Sequence, residues 1–149
     1  MEFQTVAHGK IGDAYYIGRH ATGVQVLLYP RPQYHSTYAI FGTKYGSVDT
    51  TFQTEEDDDL ITVPEGIAHF LEHKLFENEE KGDAFTRYAK TGASANAYTS
   101  FDRTAYLFSC TEQFLESLEI LLDFVASPCF TQASVEKEQG IIAQEIKMY

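Results

Sequence analysis

The chain has 149 residues, of which 44% are hydrophobic and 14% aromatic, so it is long and apolar enough for one domain with a buried core. Its formal net charge of -11 argues against a nucleic-acid partner, since phosphate binding needs a basic surface. No apolar run approaches the roughly 18 residues that cross a bilayer, and the first residues lack a basic segment followed by an apolar core, so we expect no membrane partner and a cytoplasmic location. Cys110 and Cys129 are too few for a disulfide framework and are expected to be free thiols.

The first 45 residues predict β-strands. Apolar and polar positions alternate there in short runs at 14–17, 24–29 and 37–41, separated by glycine and proline turns, and an antiparallel arrangement is expected. Residues 46–62 contain the acidic run 55–59 and predict a solvated loop. His8, His20 and His35 lie in or beside these segments without a helical partner, and we interpret them as surface or structural histidines.

Two histidines four residues apart, His69 and His73, enclose Glu72 in the pattern H-x-x-E-H. A helix turns by about 100° per residue, so all three side chains project from one helical face. The helix is predicted to start with Thr62 or Val63 as its cap and the following proline in its first turn. Two imidazoles on one face can bind a single Zn²⁺ while the carboxylate reaches a water, as in inverted zinc hydrolases. The pattern is short, so the rest of the chain must supply a third ligand.

Helices and strands alternate after this motif. A helix is predicted over 83–90, ending at Gly92, and strands over 94–100 and 104–110 follow. Residues 111–127 predict an amphipathic helix that ends at Pro128. Its apolar positions, spaced by three and four, are Phe114, Leu115, Leu118, Leu121, Leu122 and Val125. The predicted fold class is therefore α+β, an antiparallel sheet formed by the N-terminal strands and the pair at 94–110, with helices packed on one face.

A last helix is predicted to begin near Thr131 and to be still running at Tyr149, which suggests a fragment of a longer polypeptide. Glu138 and Glu145 lie about 20° apart on this helix, in the middle of its apolar stripe. A buried carboxylate is costly unless it is paired, hydrogen-bonded or bound to a metal. Two of them on one inward stripe fit one metal ligand and one supporting carboxylate, and the periodicity leaves open which is which.

Together these residues resemble the pitrilysin/insulinase family of metallopeptidases, which includes the mitochondrial processing peptidases. In that family the motif supplies two histidine ligands, and a glutamate some seventy residues downstream is the third. Here Glu145 lies 145 - 73 = 72 positions after His73. The resemblance thus implies that His69, His73 and Glu145 bind Zn²⁺ and that Glu72 is the catalytic base. Glu138 matches the family's acidic residue seven positions before the ligand and is implied as a second catalytic residue, one that orients a histidine or the water.

The stretch 92–100 resembles the family's edge strand, on which substrate peptide is laid as an added strand. The resemblance implies substrate binding by Ala95, Asn96 and Ala97, and it makes physical sense because an extended peptide satisfies an open sheet edge through backbone hydrogen bonds. Residues 64–77 look most like a bacterial, cytosolic branch. Since family members carry at least two related domains, residues 1–149 are expected to be an N-terminal zinc-binding peptidase domain that needs a second homologous domain or subunit.

The predicted function is that of a zinc-dependent endopeptidase acting on a peptide or small protein through a metal-activated water. One alternative is a peptide-binding or assembly subunit of the same fold without turnover. Another is an enzyme similar to S-ribosylhomocysteine lyase, which combines the same motif with iron and a downstream cysteine, for which Cys129 is the candidate. Lys74, Lys90 and Arg103 are interpreted as ordinary surface charges.

Overall fold

The structure, a computed structural model, describes residues 1–10, 12–55, 58–78 and 81–148. The chain divides into two compact units, Met1–His35 and Ser36–Tyr149. Among the described residues, the first unit contains the strands β1 (Phe3–His8), β2 (Asp13–Arg19) and β3 (Gln25–Leu28). They form an antiparallel sheet with β2 in the centre.

The second unit contains all the described helices. In chain order its elements are β4 (Thr37–Thr43), β5 (Thr51–Phe52), β6 (Ile61–Thr62), α1 (Ile67–Phe76), α2 (Ala84–Thr91), β7 (Ser94–Thr99), β8 (Thr104–Cys110), α3 (Phe114–Ala126) and α4 (Gln132–Met148). β4, β8 and β7 form an antiparallel sheet in that order, so β8 is central and β7 is an edge strand. β5 and β6 form a separate short antiparallel pair.

One face of the β4-β8-β7 sheet carries the core. Successive side chains along each strand point to opposite faces of the sheet. Tyr106 and Phe108 of β8 are buried against α1, α2 and α3. Tyr38 and Ile40 of β4 lie on the opposite face and are exposed. Aromatic rings fill the space between this sheet and the helices, and Phe124 of α3 stacks on Phe76 of α1 with ring centroids 5.0 Å apart. The other buried hydrophobic members of this core are Ala84, Tyr88, Cys110, Ile120 and Leu121.

The predicted α+β class, with helices on one face of an antiparallel sheet, is confirmed. The single sheet was wrong: among the described residues only β4 joins the strands at 94–110, while β2 pairs with β3 and with β1, a strand absent from the predicted runs. The predicted loop at 46–62 contains the β5-β6 pair. Part of its acidic run, Glu56 and Asp57, lies outside the described residues.

The start of α1 differs from the prediction. Thr62 belongs to β6, and the helix begins at Ile67 after Gly66, whose φ of 85° lies in the left-handed region. This conformation separates Pro64 from the helix by a turn, since a residue at φ > 0 cannot continue the helical backbone. The predictions for α2 are confirmed, because Asp83 caps it through the Thr86 N–H at 3.2 Å and Gly92 ends it with φ 70°.

The predicted apolar stripe of α3 was partly wrong. Leu115 and Leu122 are exposed, at 68% and 48%, and Ser117 is fully buried. The buried face of the helix is centred on Ser117, Leu121 and Phe124, and the Ser117 hydroxyl donates to the Thr91 hydroxyl of α2 at 3.0 Å. A serine whose hydroxyl has a hydrogen-bond partner can therefore occupy a buried position of an amphipathic helix, where hydrophobicity alone predicts a leucine.

Lys74 is a second correction, because its side chain is 0% exposed rather than at the surface. Lys90 and Arg103 are exposed, as predicted. His20 and His35 are also exposed, and the side chain of His8 is not among the described ones. Both cysteines are free, and burial raises the pKa of the Cys110 thiol. No helix within the described ranges is long and apolar enough to cross a membrane.

Candidate metal centre

The two motif histidines lie one turn apart on α1, and their rings meet edge to face with centroids 4.6 Å apart. Their Nε2 atoms are 3.1 Å from each other. Glu145, near the end of α4, places Oε2 at 3.7 Å from each of these nitrogens. Residues 72 positions apart in sequence therefore meet because α4 packs against α1. Of the groups of three or more potential ligands in the described ranges, only this one has all its ligand atoms within 4.8 Å of one another.

The dimensions of this triangle fit a zinc ion. Bonds of about 2.0–2.2 Å in a tetrahedral site place neighbouring ligand atoms about 3.4 Å apart, close to the observed separations of 3.1 and 3.7 Å. The Glu145 Oε2 atom is buried and has no hydrogen-bond partner among the described residues. A buried carboxylate oxygen without a partner is costly, and a cation placed between it and the two imidazoles would remove that cost.

Glu138 lies beside the triangle formed by the Nε2 atoms of His69 and His73 and the Glu145 Oε2 atom, two helical turns before Glu145. Its side chain is almost fully buried, and Oε1 lies 2.8 Å from His73 Nδ1. A carboxylate accepts hydrogen bonds, so this contact is a hydrogen bond in the tautomer that has the imidazole proton on Nδ1. His73 Nε2 is then left with its lone pair directed at His69 and Glu145, as metal binding requires.

Glu72 approaches the site from the same helix, and the hydroxyl of Thr99 on β7 donates to its Oε2 at 2.6 Å. Tyr106 of β8 lies close by, with its hydroxyl 3.5 Å from the Leu71 carbonyl. Burial raises the pKa of Tyr106, and the negative charge of Glu72 raises it further. The carboxylate of Glu72 therefore has a hydrogen-bond donor on the edge strand, and its charge helps to keep the phenol of Tyr106 neutral.

The strand that contains Ala95, Asn96 and Ala97 is β7, the edge of its sheet, and no described strand pairs with its outer side. Asn96 is exposed, and its side-chain oxygen accepts from the Ala97 N–H at 2.9 Å. α1 packs against both β7 and β8, so the edge lies on the same side of the unit as the motif helix. An open depression of about 690 Å³ adjoins His73 and Glu145 and reaches Ile141 and Met148 on α4.

The structure thus brings together His69, His73, Glu145 and Glu138, and it places Glu72 on the same helix as the two histidines, with its carboxylate bonded to Thr99. All five residues were predicted from the sequence. The sequence reasoning missed Thr99. A signal was available, because Thr99 continues the inward positions of Ala95 and Ala97 at spacings of two, and a hydroxyl on an inward strand position needs a partner. Cys129, the ligand expected for a lyase-like iron site, is not part of the metal cluster, and nothing supports that alternative.

Comparison with known proteins gives consistent results. The model of the insulinase family, peptidase family M16, matches residues 56–149. The zinc protease YmfH of Bacillus subtilis strain 168 is 49% identical over 144 residues, which cover 97% of this chain and 33% of that protein. The chain therefore spans about a third of the length of this curated relative.

Solved structures agree on the fold. An M16-like peptidase from Alicyclobacillus acidocaldarius is 48% identical with a TM-score of 0.84, over 99% of this chain and 32% of that one. Pitrilysin matches with a TM-score of 0.76 at 23% identity, over 98% of this chain and 16% of its own. At that identity the likeness to pitrilysin concerns the fold alone.

Proposed function

Since the chain belongs to the insulinase family of peptidases, we propose that it is the zinc-binding part of an endopeptidase, with His69, His73 and Glu145 as the ligands. The observation that carries this proposal is the buried Glu145 Oε2, which faces two imidazole nitrogens and has no hydrogen-bond partner among the described residues. Two nitrogens and one carboxylate oxygen form a typical donor set for catalytic zinc, which leaves a further position for water. The relative YmfH is itself named a zinc protease.

Glu72 is the proposed general base and acid. Zinc, when bound, lowers the pKa of a coordinated water to about 7 and polarises the carbonyl that is attacked. The Glu72 carboxylate then accepts a proton from the attacking water and later gives it to the leaving amine. Glu138 acts through His73, because its hydrogen bond to Nδ1 holds the imidazole in the tautomer and orientation that leave Nε2 free for the metal.

The proposed substrate is an extended peptide that pairs with β7. Ala95, Asn96 and Ala97 lie in the middle of this edge strand, and their small side chains allow a second backbone to approach. The Ala97 N–H now donates to the Asn96 side chain, and a paired peptide can take over that donor. The depression of about 690 Å³ beside His73 gives the residues next to the cleaved bond a place to lie.

We further propose that residues 1–149 act as an N-terminal domain together with a second homologous domain or subunit. The proposal is supported by the share of the relatives that this chain spans, 33% of YmfH and 32% of the Alicyclobacillus peptidase. A beta subunit of the human mitochondrial-processing peptidase, 35% identical over 86 residues, belongs by its name to an assembly of subunits. The cytoplasmic location expected from the sequence stays a prediction.

The experiment measures cleavage of a quenched peptide library and bound zinc in the full-length protein. Glu72→Gln should lower kcat/KM by at least about 100-fold and leave zinc content unchanged, since the amide cannot exchange the proton. Glu145→Gln should lower both zinc content and cleavage. Glu136→Gln is the matched control, because Glu136 is exposed on the same helix as Glu145. Cleavage that resists a chelator, or that survives Glu72→Gln, would contradict the proposal.

A further inference from the structure

Thr99 contacts the proposed base from a different element of the fold. It is the last residue of β7, lies opposite Thr104 in the register with β8, and donates to Glu72 Oε2 at 2.6 Å. This distance lies in the range of short hydrogen bonds between a hydroxyl and a carboxylate. Glu72 is thereby connected to the same strand on which we propose that substrate pairs.

The position of the Thr99 hydroxyl is fixed on several sides. The turn after β7 is closed by the Ser100 N–H, which donates to the Arg103 carbonyl at 2.8 Å. The Thr104 hydroxyl, 3.4 Å from that of Thr99, donates to the Tyr45 carbonyl at 2.8 Å. Threonine is also branched at Cβ, which restricts its χ1 torsion. The donor therefore has a single well-defined position.

The carboxylate of Glu72 needs such a partner. α1 fixes its backbone, but the last torsion of a glutamate side chain is broad, so the two oxygens can rotate among many orientations. The nearby phenol of Tyr106 is already placed against the Leu71 carbonyl. A hydroxyl that holds Oε2 fixes the plane of the carboxylate and leaves Oε1 to exchange the proton with water.

We propose that Thr99 is a positioning residue that orients the Glu72 carboxylate and thereby couples the substrate strand to the base. This inference rests on the proposed function. A peptide paired with β7 lies at a fixed offset from Thr99, and Thr99 in turn fixes Glu72. Strand pairing and alignment of the base are then parts of one rigid unit, which lowers the cost of reaching the reactive geometry.

The test uses the zinc-loaded full-length protein and a quenched peptide substrate. Thr99→Val keeps the shape of the side chain and removes the hydroxyl, and it should lower kcat about 10- to 100-fold, the usual effect of a misplaced catalytic group, while KM changes less than about twofold. Thr99→Ala should show the same loss. Thr99→Ser restores the donor and should recover kcat to within about threefold of the wild type.

Thr91→Val is the matched control. It removes a half-buried hydroxyl that donates to the Tyr88 carbonyl and accepts from Ser117, so it affects packing between α2 and α3 without touching Glu72. We expect a lower unfolding temperature and an unchanged kcat. Zinc content should be equal in all variants, because Thr99 contacts no proposed ligand.

The outcomes separate this inference from the proposed function. If the wild type cleaves, is sensitive to chelator and loses activity on Glu72→Gln, the function holds. Unchanged kcat in Thr99→Val would then overturn the positioning role alone, and so would a Thr99→Ser variant as slow as Thr99→Val. Equal losses of kcat in Thr99→Val and Thr91→Val would show a general effect on folding and also overturn it. A wild type without chelator-sensitive cleavage would overturn both.

Discussion

Replacing Glu77 by alanine should destabilise the protein far more than replacing its buried partner Lys74 by methionine. The Lys74 ammonium is fully buried and donates to Glu77 Oε2 at 2.7 Å, and Lys137 of α4 donates to the other oxygen at 2.5 Å. Glu77 directly follows α1, so this carboxylate connects the helix that contains the motif to the helix that contains Glu145. The effect of each substitution depends on which charge is left behind.

The expected free energies follow from burial. Glu77→Ala leaves the buried Lys74 cation without this partner, which costs about 3–5 kcal/mol. Lys74→Met removes the buried charge itself and keeps most of the side-chain volume, so the change is expected within about 1 kcal/mol of zero. Lys137→Met breaks a pair whose lysine is 64% exposed, and the loss should be below about 1 kcal/mol.

The same contacts predict a pH dependence. Hydrogen bonds from Lys137 and then Lys74 hold the pKa of Glu77 below its ordinary value of 4.5 in the folded protein. A carboxyl group with a lowered folded pKa binds fewer protons when folded, so its stabilisation is present above pH 4.5 and is lost as the pH falls through the folded pKa. Glu77→Gln should therefore flatten the dependence of stability on pH in this acidic window.

Hydrogen exchange of the α1 and α4 amides, followed by mass spectrometry in the full-length protein, measures this local stability. A loss of 3 kcal/mol corresponds to opening that is about 100-fold more frequent, since every 1.4 kcal/mol is a factor of ten. Glu77→Ala should reach that change in both helices, and Lys74→Met should leave exchange nearly as in the wild type. Equal protection in these two variants, or a larger loss in Lys74→Met, would refute the reasoning.

Two other substitutions test the site and its scaffold. Glu138→Gln weakens the hydrogen bond to His73 Nδ1 and should lower zinc affinity about 10- to 100-fold. The affinity is measured by competition with a chromophoric chelator, and an unchanged value would contradict the proposal that Glu138 orients His73. Gly46→Ala would place a Cβ atom 2.5–2.6 Å from the backbone of residues 101–103 and should cost about 1–3 kcal/mol in urea unfolding. Gly140→Ala is its control, because a Cβ atom added there meets nothing within 4 Å apart from the neighbouring backbone of α4, and it should stabilise by about 0.5–1 kcal/mol.

The candidate metal centre was predictable because the periodicity of each helix indicates which of its side chains share a face. Spacing of four placed His69 and His73 together, and spacing of seven placed Glu138 and Glu145 on one inward stripe. The division of roles between the two glutamates was not available from that pattern. It depends on how α4 is rotated against α1, which puts Glu138 on the Nδ1 side of His73 and Glu145 on the Nε2 side.

The errors arose where tertiary contacts overrode average behaviour. Lysine is seldom buried, but Lys74 follows the motif on a helix packed on both sides and has a carboxylate within reach at the i+3 position. Leu115 is exposed and Ser117 buried because α2 supplies a hydroxyl partner at the interface. The strand pairing of the first unit was missed for a related reason, since alternation identifies a strand but not its neighbour.

The edge strand β7 has a consequence for handling the protein. Its sequence, Ser-Ala-Asn-Ala-Tyr-Thr, contains no charge and no proline, the two devices that usually prevent strands of separate molecules from pairing. An edge strand that is open to an added peptide is equally a template for the same strand of another copy. The formal charge of -11 opposes such self-association by mutual repulsion, so concentrated solutions should stay clear at low ionic strength and turn turbid as salt screens that repulsion.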